Sequence, residues 1–261
     1  MSGEDHRREA RARAVDSTDR SPRPGPVAEA HAGGVRSASS NGDRYVDLSQ
    51  PLFNGMPHSH LCTASFRADA VDLGYEADIE VTLTHLEMSA HVGTHIDAPR
   101  HFIPGGATLD EYPAARFCRP AVSIDMRRDG PVSVTERELR QSDPGIEPGD
   151  IVILYFGYAD RFAHDDYHSH PYLDAGAAEF LVEKGIGMLA VDTLTPDVPG
   201  RHRPAGFDFP IHRILLGADI LIMENLGRGA GHLIGTRFSL VCFPMQVRNA
   251  DGAPVVPVAI A

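Results

Sequence analysis

Three histidines and one aspartate fall within eleven positions of this 261-residue chain, in His91-Val92-Gly93-Thr94-His95-Ile96-Asp97-Ala98-Pro99-Arg100-His101. Far downstream, His212 and Glu224 interrupt a largely apolar stretch over residues 209–226. Imidazole nitrogens with carboxylate oxygens are the usual ligands of catalytic zinc, and they also suit manganese or iron. A divalent ion in such a set polarises a carbonyl and lowers the pKa of water from about 15.7 toward about 7. The chemistry on offer is attack of water on a carbonyl, with an imidazole of ordinary pKa about 6.5 to move the protons.

Spacing constrains how these residues meet. His91, His95, Asp97 and His101 share one parity, so a strand would put them on one face. A straight strand would still hold His91 and His95 about 13 Å apart, near the limit that two imidazoles can bridge. A helix would pair them at i, i+4, but Gly93 and Pro99 oppose one. The expected path is an extended chain that bends at Gly93, where backbone conformations closed to other residues are open, and again near Pro99. In the second stretch Pro210 opens a short helix carrying His212 and Leu215, and Gly217 closes it. Residues 220–223 then form a buried strand with Glu224 at its carboxyl end, where an unpaired carboxylate is costly to bury without a cation.

Together these segments resemble the cyclase family of metal-dependent hydrolases, which includes bacterial kynurenine formamidases and isatin hydrolases. The resemblance rests on His-x-Gly-Thr-His-x-Asp-x-Pro-x-His from His91 to His101, and on Asp47-Leu48-Ser49 with Pro51-Leu52. Gly185-Ile186 through Val191-Asp192-Thr193 and the spacing of His212 and Glu224 also fit, so that residues 45–261 are covered. It implies a swivelling β/β/α fold and a homo-oligomer. It implies that His91, His95 and Asp97 bind a first metal, that Asp97 and Glu224 bridge to a second where two are present, and that His212 completes the second site. His101 matches the general acid/base. Zinc or manganese, as one ion or two, would then serve hydrolysis of a small amide, formamide or cyclic amide or ester. The alternative is a polyketide-type cyclase that uses the same metal to activate a carbonyl for ring closure. Kynurenine formamidases commonly place an aromatic residue, often Trp, over the substrate; this chain has no Trp, and Phe53 or Tyr75 is expected to stand in.

The formal charge of −12 argues against nucleic acid or an anionic membrane as partner. No apolar run reaches the roughly 18 residues of a bilayer span, and the first residues lack the apolar core of a secretory signal. A cytoplasmic enzyme with a small-molecule substrate is expected. Cys62, Cys118 and Cys242 are scattered and odd in number, which suits reduced thiols better than a disulfide framework. Residues 1–43 are rich in Pro, Gly, Ser and charge, which predicts a disordered extension, and 44–261 form one domain.

Past the extension, periodicity gives an α/β chain with a mixed sheet. Strands are expected at 45–48, 79–88, 120–125, 151–155, 186–191, 238–243 and 255–260. Helices are expected at 135–141, with the capping box Thr135/Glu138, and at 175–184, capped by Asp174 and closed by Gly185. Asp192, ending a buried strand where open sheets collect site residues, is expected to line the substrate pocket with Phe53. His168 and His170 are expected to shape a polar loop at the pocket mouth or a subunit contact.

Overall fold

The computed structural model describes residues 37–40, 43–72 and 80–261. Most of the expected extension lies outside the described residues, as do Tyr75 and the expected strand start at Ile79. In chain order the strands are β1 (Ser37–Ser40), β2 (Asp43–Asp47), β3 (Ala64–Asp72), β4 (Glu80–Met88), β5 (His95–Asp97), β6 (Cys118–Asp125) and β7 (Ser133–Val134). They continue with β8 (Ile151–Tyr155), β9 (Tyr172–Leu173), β10 (Met188–Val191), β11 (Leu221–Glu224), β12 (Arg237–Val241), β13 (Gly252–Pro254) and β14 (Val258–Ile260). The α-helices are α1 (Glu136–Ser142), α2 (Ala175–Glu183) and α3 (Pro210–Gly217).

Ten strands make one mixed sheet in the order β1-β2-β14-β12-β6-β8-β10-β11-β5-β13. Its centre is parallel, β6-β8-β10-β11, with α1, α2 and α3 on the successive connections. Strands as uniformly apolar as β8 must be covered on both faces. Val152 and Leu154 accordingly join a core with the helices, while Ile151, Ile153 and Tyr155 join one that includes Phe238, Leu240 and Ala259. β13 lies at one edge and β14 near the other, yet the link from Pro254 to Val258 spans at most about 14 Å. The sheet therefore curls until its edges nearly meet.

Local signals hold at most helix ends. Thr135 and Glu138 form the capping box of α1, Asp174 accepts the Ala177 N–H at 2.8 Å, and Gly185 follows α2 with φ +66°. α3 departs from expectation, because Gly217 is its last helical residue and Asp219 takes the left-handed turn at φ +60°. Aspartate tolerates that region better than most residues, and Arg116 and Tyr112 hold its carboxylate.

Three further differences have physical causes. The expected strand 255–260 is a strand only at its end, β14, with Val255 in an isolated bridge to Pro244; Pro257 lacks the N–H a ladder needs, and its carbonyl accepts from Leu48. β3, which the sequence did not signal, pairs with β4 along its whole length, and Asn54 clasps the Phe66 N–H and C=O at 2.7 Å each. Ser37–Ser40, inside the stretch expected to be disordered, is an edge strand held to β2 by backbone pairing, which needs no large side chains. Cys62, Cys118 and Cys242 are free thiols. Among the described residues no helix is long and apolar enough to cross a membrane.

Candidate metal centre

Strand register does most of the gathering. β5 lies between β11 and β13, with His95 opposite Glu224 and Asp97 opposite Gly252. Directly opposed residues share a face with Cβ atoms about 5 Å apart, so Glu224 looks out beside His95 and Asp97. The bend expected at Gly93 is present at φ +60°, in the left-handed region that favours glycine, with the Leu52 side chain packed over it. The turn brings the His91 ring to 5.3 Å from that of His95. A short 3₁₀ turn, Pro99–His101, then carries His101 back to stack on His91 at 3.8 Å. α3 delivers His212 from the other side.

The six sequence-derived candidates thus meet. His91 Nδ1 lies 2.7 Å from Asp97 Oδ1, and His95 Nε2 lies 3.3 Å from Asp97 Oδ1 and 3.4 Å from Glu224 Oε2. His212 Nε2 is 3.4 Å from both Asp97 Oδ2 and Glu224 Oε1. Ligand atoms bound to one ion at about 2.0–2.1 Å in a tetrahedron stand about 3.3–3.4 Å apart, which the His95 and His212 separations match, whereas His91 and Asp97 are at hydrogen-bond distance. Buried atoms without partners are rare, yet His95 Nε2 and Glu224 Oε1 have no hydrogen-bond partner among the described residues. A cation would satisfy both. The donor set fits a divalent metal.

Outer contacts orient the imidazoles. His95 Nδ1 donates to the Gly93 carbonyl at 2.8 Å, which leaves Nε2 for the centre. His212 Nδ1 donates to Asp197 Oδ2 at 2.6 Å, and the same carboxylate accepts the N–H groups of Ile211 and His212, fixing the ring and the start of α3 together. Carboxylate-backed histidines of this kind are usual around bound metals. Asn225, at φ +59°, donates to Gly93 O at 2.9 Å and accepts from Tyr167 Oη at 2.7 Å, tying the end of β11 to the motif.

Electrostatics point the same way. Burial opposes charge on His91, yet Asp97 and Asp251 outweigh it and lift the imidazole to about 9. Burial is also overcome at His95 by Asp97 and Glu224, and at His212 by Asp197, Asp97 and Glu224, so both are raised. Asp97 and Glu224, despite burial, are held below the usual carboxylate range by the imidazoles they face. The cluster attracts positive charge, as protons or as a metal.

Beside it stands an aromatic wall. Phe102 lies 4.5 Å from the His212 ring and 5.1 Å from Phe209, and the Arg203 guanidinium covers Phe209 at 4.4 Å. Phe209 is held at φ +56°, a conformation phenylalanine seldom adopts.

The other expected site residues have contacts of their own. Asp192 is fully buried, and its carboxylate accepts the N–H groups of Phe156, Tyr158 and Ala159 at 2.7–3.1 Å. That work is structural: burial pushes the group up to about 6 against three donors that favour its charge. Phe53 packs edge-on to Phe162 at 6.1 Å. His170 is buried and pushed down to about 4 by that burial, its Nδ1 donating to Pro171 O. Asp197, Asn225 and Asp251 were not signalled, because each lies in a loop where Asp and Asn are ordinary turn residues.

The Cyclase family model, described as "Putative cyclase", matches residues 46–198, a span that ends before His212 and Glu224. The kynurenine formamidase of Bacillus cereus is 30% identical over 216 residues, covering 81% of this chain and 94% of that protein. Isatin hydrolase A from Labrenzia aggregata, solved with benzyl benzoate, shares the fold with a TM-score of 0.72 at 26% identity, over 84% of this chain and 93% of that one. A Bacillus stearothermophilus structure described as a "predicted metal-dependent hydrolase" gives a TM-score of 0.65 at 25% identity, over 84% and 98% of the two chains. Motif, curled sheet and the convergent imidazoles and carboxylates agree with these matches: the chain belongs to the cyclase family.

Proposed function

We propose that this chain is a divalent-metal-dependent hydrolase of a small amide, formamide or cyclic amide, acting on C–N bonds other than peptide bonds in the manner of an arylformamidase. The observation that carries the reading is the cluster of two buried and one half-buried imidazoles with two buried carboxylates, with orphaned Nε2 and Oε1 atoms at its centre. The names of the similar proteins, kynurenine formamidase and isatin hydrolase, support the bond type.

In this reading His91, His95, Asp97, His212 and Glu224 would hold zinc or manganese, as one ion or two. When bound, the metal supplies Lewis-acid polarisation of the scissile carbonyl and activates water for attack. His101, beside the ligands with its ring 6.2 Å from His212, accepts the proton of the attacking water and returns it to the leaving nitrogen. The C–N bond breaks, and the products are a carboxylate and an amine. Phe102 and Phe209, tilted 48° to each other, offer an apolar aromatic corner that suits an aryl substituent.

The test is turnover of N-formyl aryl amines, cyclic imides and lactones by protein loaded with zinc or manganese. Release of one carboxylate per bond broken is expected, with loss under chelator and recovery on adding metal back. Ring closure without consumption of water would favour the polyketide-type cyclase. Metal-loaded protein inert toward every member of the panel would sink the hydrolase reading.

A further inference from the structure

Asp251 stands at the rim of the site, just before β13, where the sequence reads as a turn, Asn249-Ala250-Asp251-Gly252. One of its oxygens, Oδ2, lies 3.0 Å from His91 Nε2 and 3.1 Å from His101 Nδ1. A carboxylate can only accept, so both imidazoles donate to it. His91 is thereby left with Nδ1 toward Asp97, and His101 with Nε2 unengaged by this contact. The two rings stack at 3.8 Å and 21°, an arrangement that the shared acceptor enforces.

The backbone fixes Asp251 in place. Its carbonyl accepts the Ala98 N–H at 2.8 Å, inside the histidine motif, and the next residue, Gly252, pairs with Asp97 across the ladder. Close approach requires glycine here, since a Cβ on Gly252 would come within 2.4 Å of His91 Cε1 and 3.0 Å of both ring nitrogens. The β13 backbone therefore serves as the floor on which His91 lies, and Asp251 as the clasp.

We propose that Asp251 is a positioning residue shared between the metal centre and the proton-transfer group, holding His91 as a ligand and His101 as acid/base through one carboxylate oxygen. The inference rests on the ligand and acid/base roles proposed above. Carboxylates that orient metal-bound histidines typically contribute 10–100-fold in metal affinity. Where a carboxylate orients a catalytic imidazole, its loss lowers turnover by roughly 10²–10⁴-fold.

Three measurements on the full chain test it, using Asp251→Ala, Asp251→Asn and Asp251→Glu with His101→Ala as reference. Competition with a chromophoric chelator should show the metal-free Asp251→Ala protein binding Zn²⁺ about 10–100-fold more weakly at unchanged stoichiometry, with His101→Ala close to the parent. At saturating metal, kcat of Asp251→Ala should fall by about 10²-fold or more with KM within about threefold, and Asp251→Glu should recover part of both losses. The imidazole ¹⁵N shifts of His101 should report an Nδ1–H tautomer in the parent that Asp251→Ala loses, while Asp251→Asn, which can still accept, keeps it. The tautomer and affinity readings need no substrate, so they stand even where the amide panel gives no turnover. Weaker metal binding with parental kcat at saturation and an unchanged tautomer would overturn the shared role. So would loss of a whole metal equivalent, which would make Asp251 a ligand in its own right, or a lower melting temperature with the other readings unmoved.

Discussion

The inner and outer halves of the candidate metal centre share a motif but not an environment. His95 and Asp97 are each 1% exposed, with His212 at 4% and Glu224 at 6%, all pressed between β5, β11 and α3. The side chains of His91, His101 and Asp251 are 15%, 28% and 43% exposed. Inside, two carboxylates face two imidazole nitrogens with little water to screen them, so the arrangement is stable only when positive charge balances it. Outside, the groups are close enough to be ordered by hydrogen bonds and open enough to exchange protons with a substrate. The contrast sets four buried candidate ligands apart from the half-open groups around His101, with His91 between them, and substitutions should divide along it.

The largest effects belong to the inner half. Glu224→Gln or Asp97→Asn should strip the metal and lower turnover by roughly a thousandfold or more, because removing one buried charge leaves its partners uncompensated. Elemental analysis with kinetics checks this, and retained metal with near-normal rate would erase the distinction between halves. His101→Ala should lower kcat by about 10²–10⁴-fold while metal content stays at the parental level. If the metal is lost as well, His101 belongs with the ligands. Asp197→Asn removes the charge behind His212 and should weaken metal binding by about 10–100-fold, as read by chelator competition.

A smaller effect comes from pH. His91 is raised to about 9 in the folded chain, so its charge stabilises the metal-free fold fully below the ordinary imidazole pKa of about 6.5 and is lost as pH rises through about 9. Metal binding must expel the same protons, so affinity should climb with pH over that window while metal-free stability declines. Titration calorimetry in buffers of different ionisation enthalpy would count the protons; a flat affinity would contradict the assigned charge state. The smallest effect lies far from the site. Thr135→Ala removes the cap of α1 and should cost about 1 kcal/mol of stability with turnover unchanged.

Much of this was legible in the chain. The bend at Gly93, the caps of α1 and α2, the buried β8 and the placement of Glu224 at the end of β11 each follow from a few adjacent residues. Six groups of the site could be named for the same reason, since their types and spacing are local facts. Asp192 shows where that logic stops. The carboxyl end of a buried strand is a good place for a site residue, but whether the carboxylate faces the cavity or the loop behind it depends on Phe156, Tyr158 and Ala159, whose N–H groups claimed it. Asp219 in place of Gly217 at the close of α3 is a similar case, where Tyr112 and Arg116 hold the turn.

The sequence by itself determined which atoms can bind a cation, where the chain must bend to present them, and that apolar strands would bury them. Only the tertiary structure decided that β5 enters between β11 and β13 in a register that sets His95 against Glu224 and Asp97 against Gly252. Register depends on the side-chain pattern of the whole curled sheet, and a slip of one residue would turn each of these groups to the opposite face. The three carboxamide and carboxylate residues that orient the site, Asp197, Asn225 and Asp251, come from loops that no local rule connects to the motif. Their partners are chosen by folding, which brings those loops within hydrogen-bond reach of imidazoles and backbone far away in the chain.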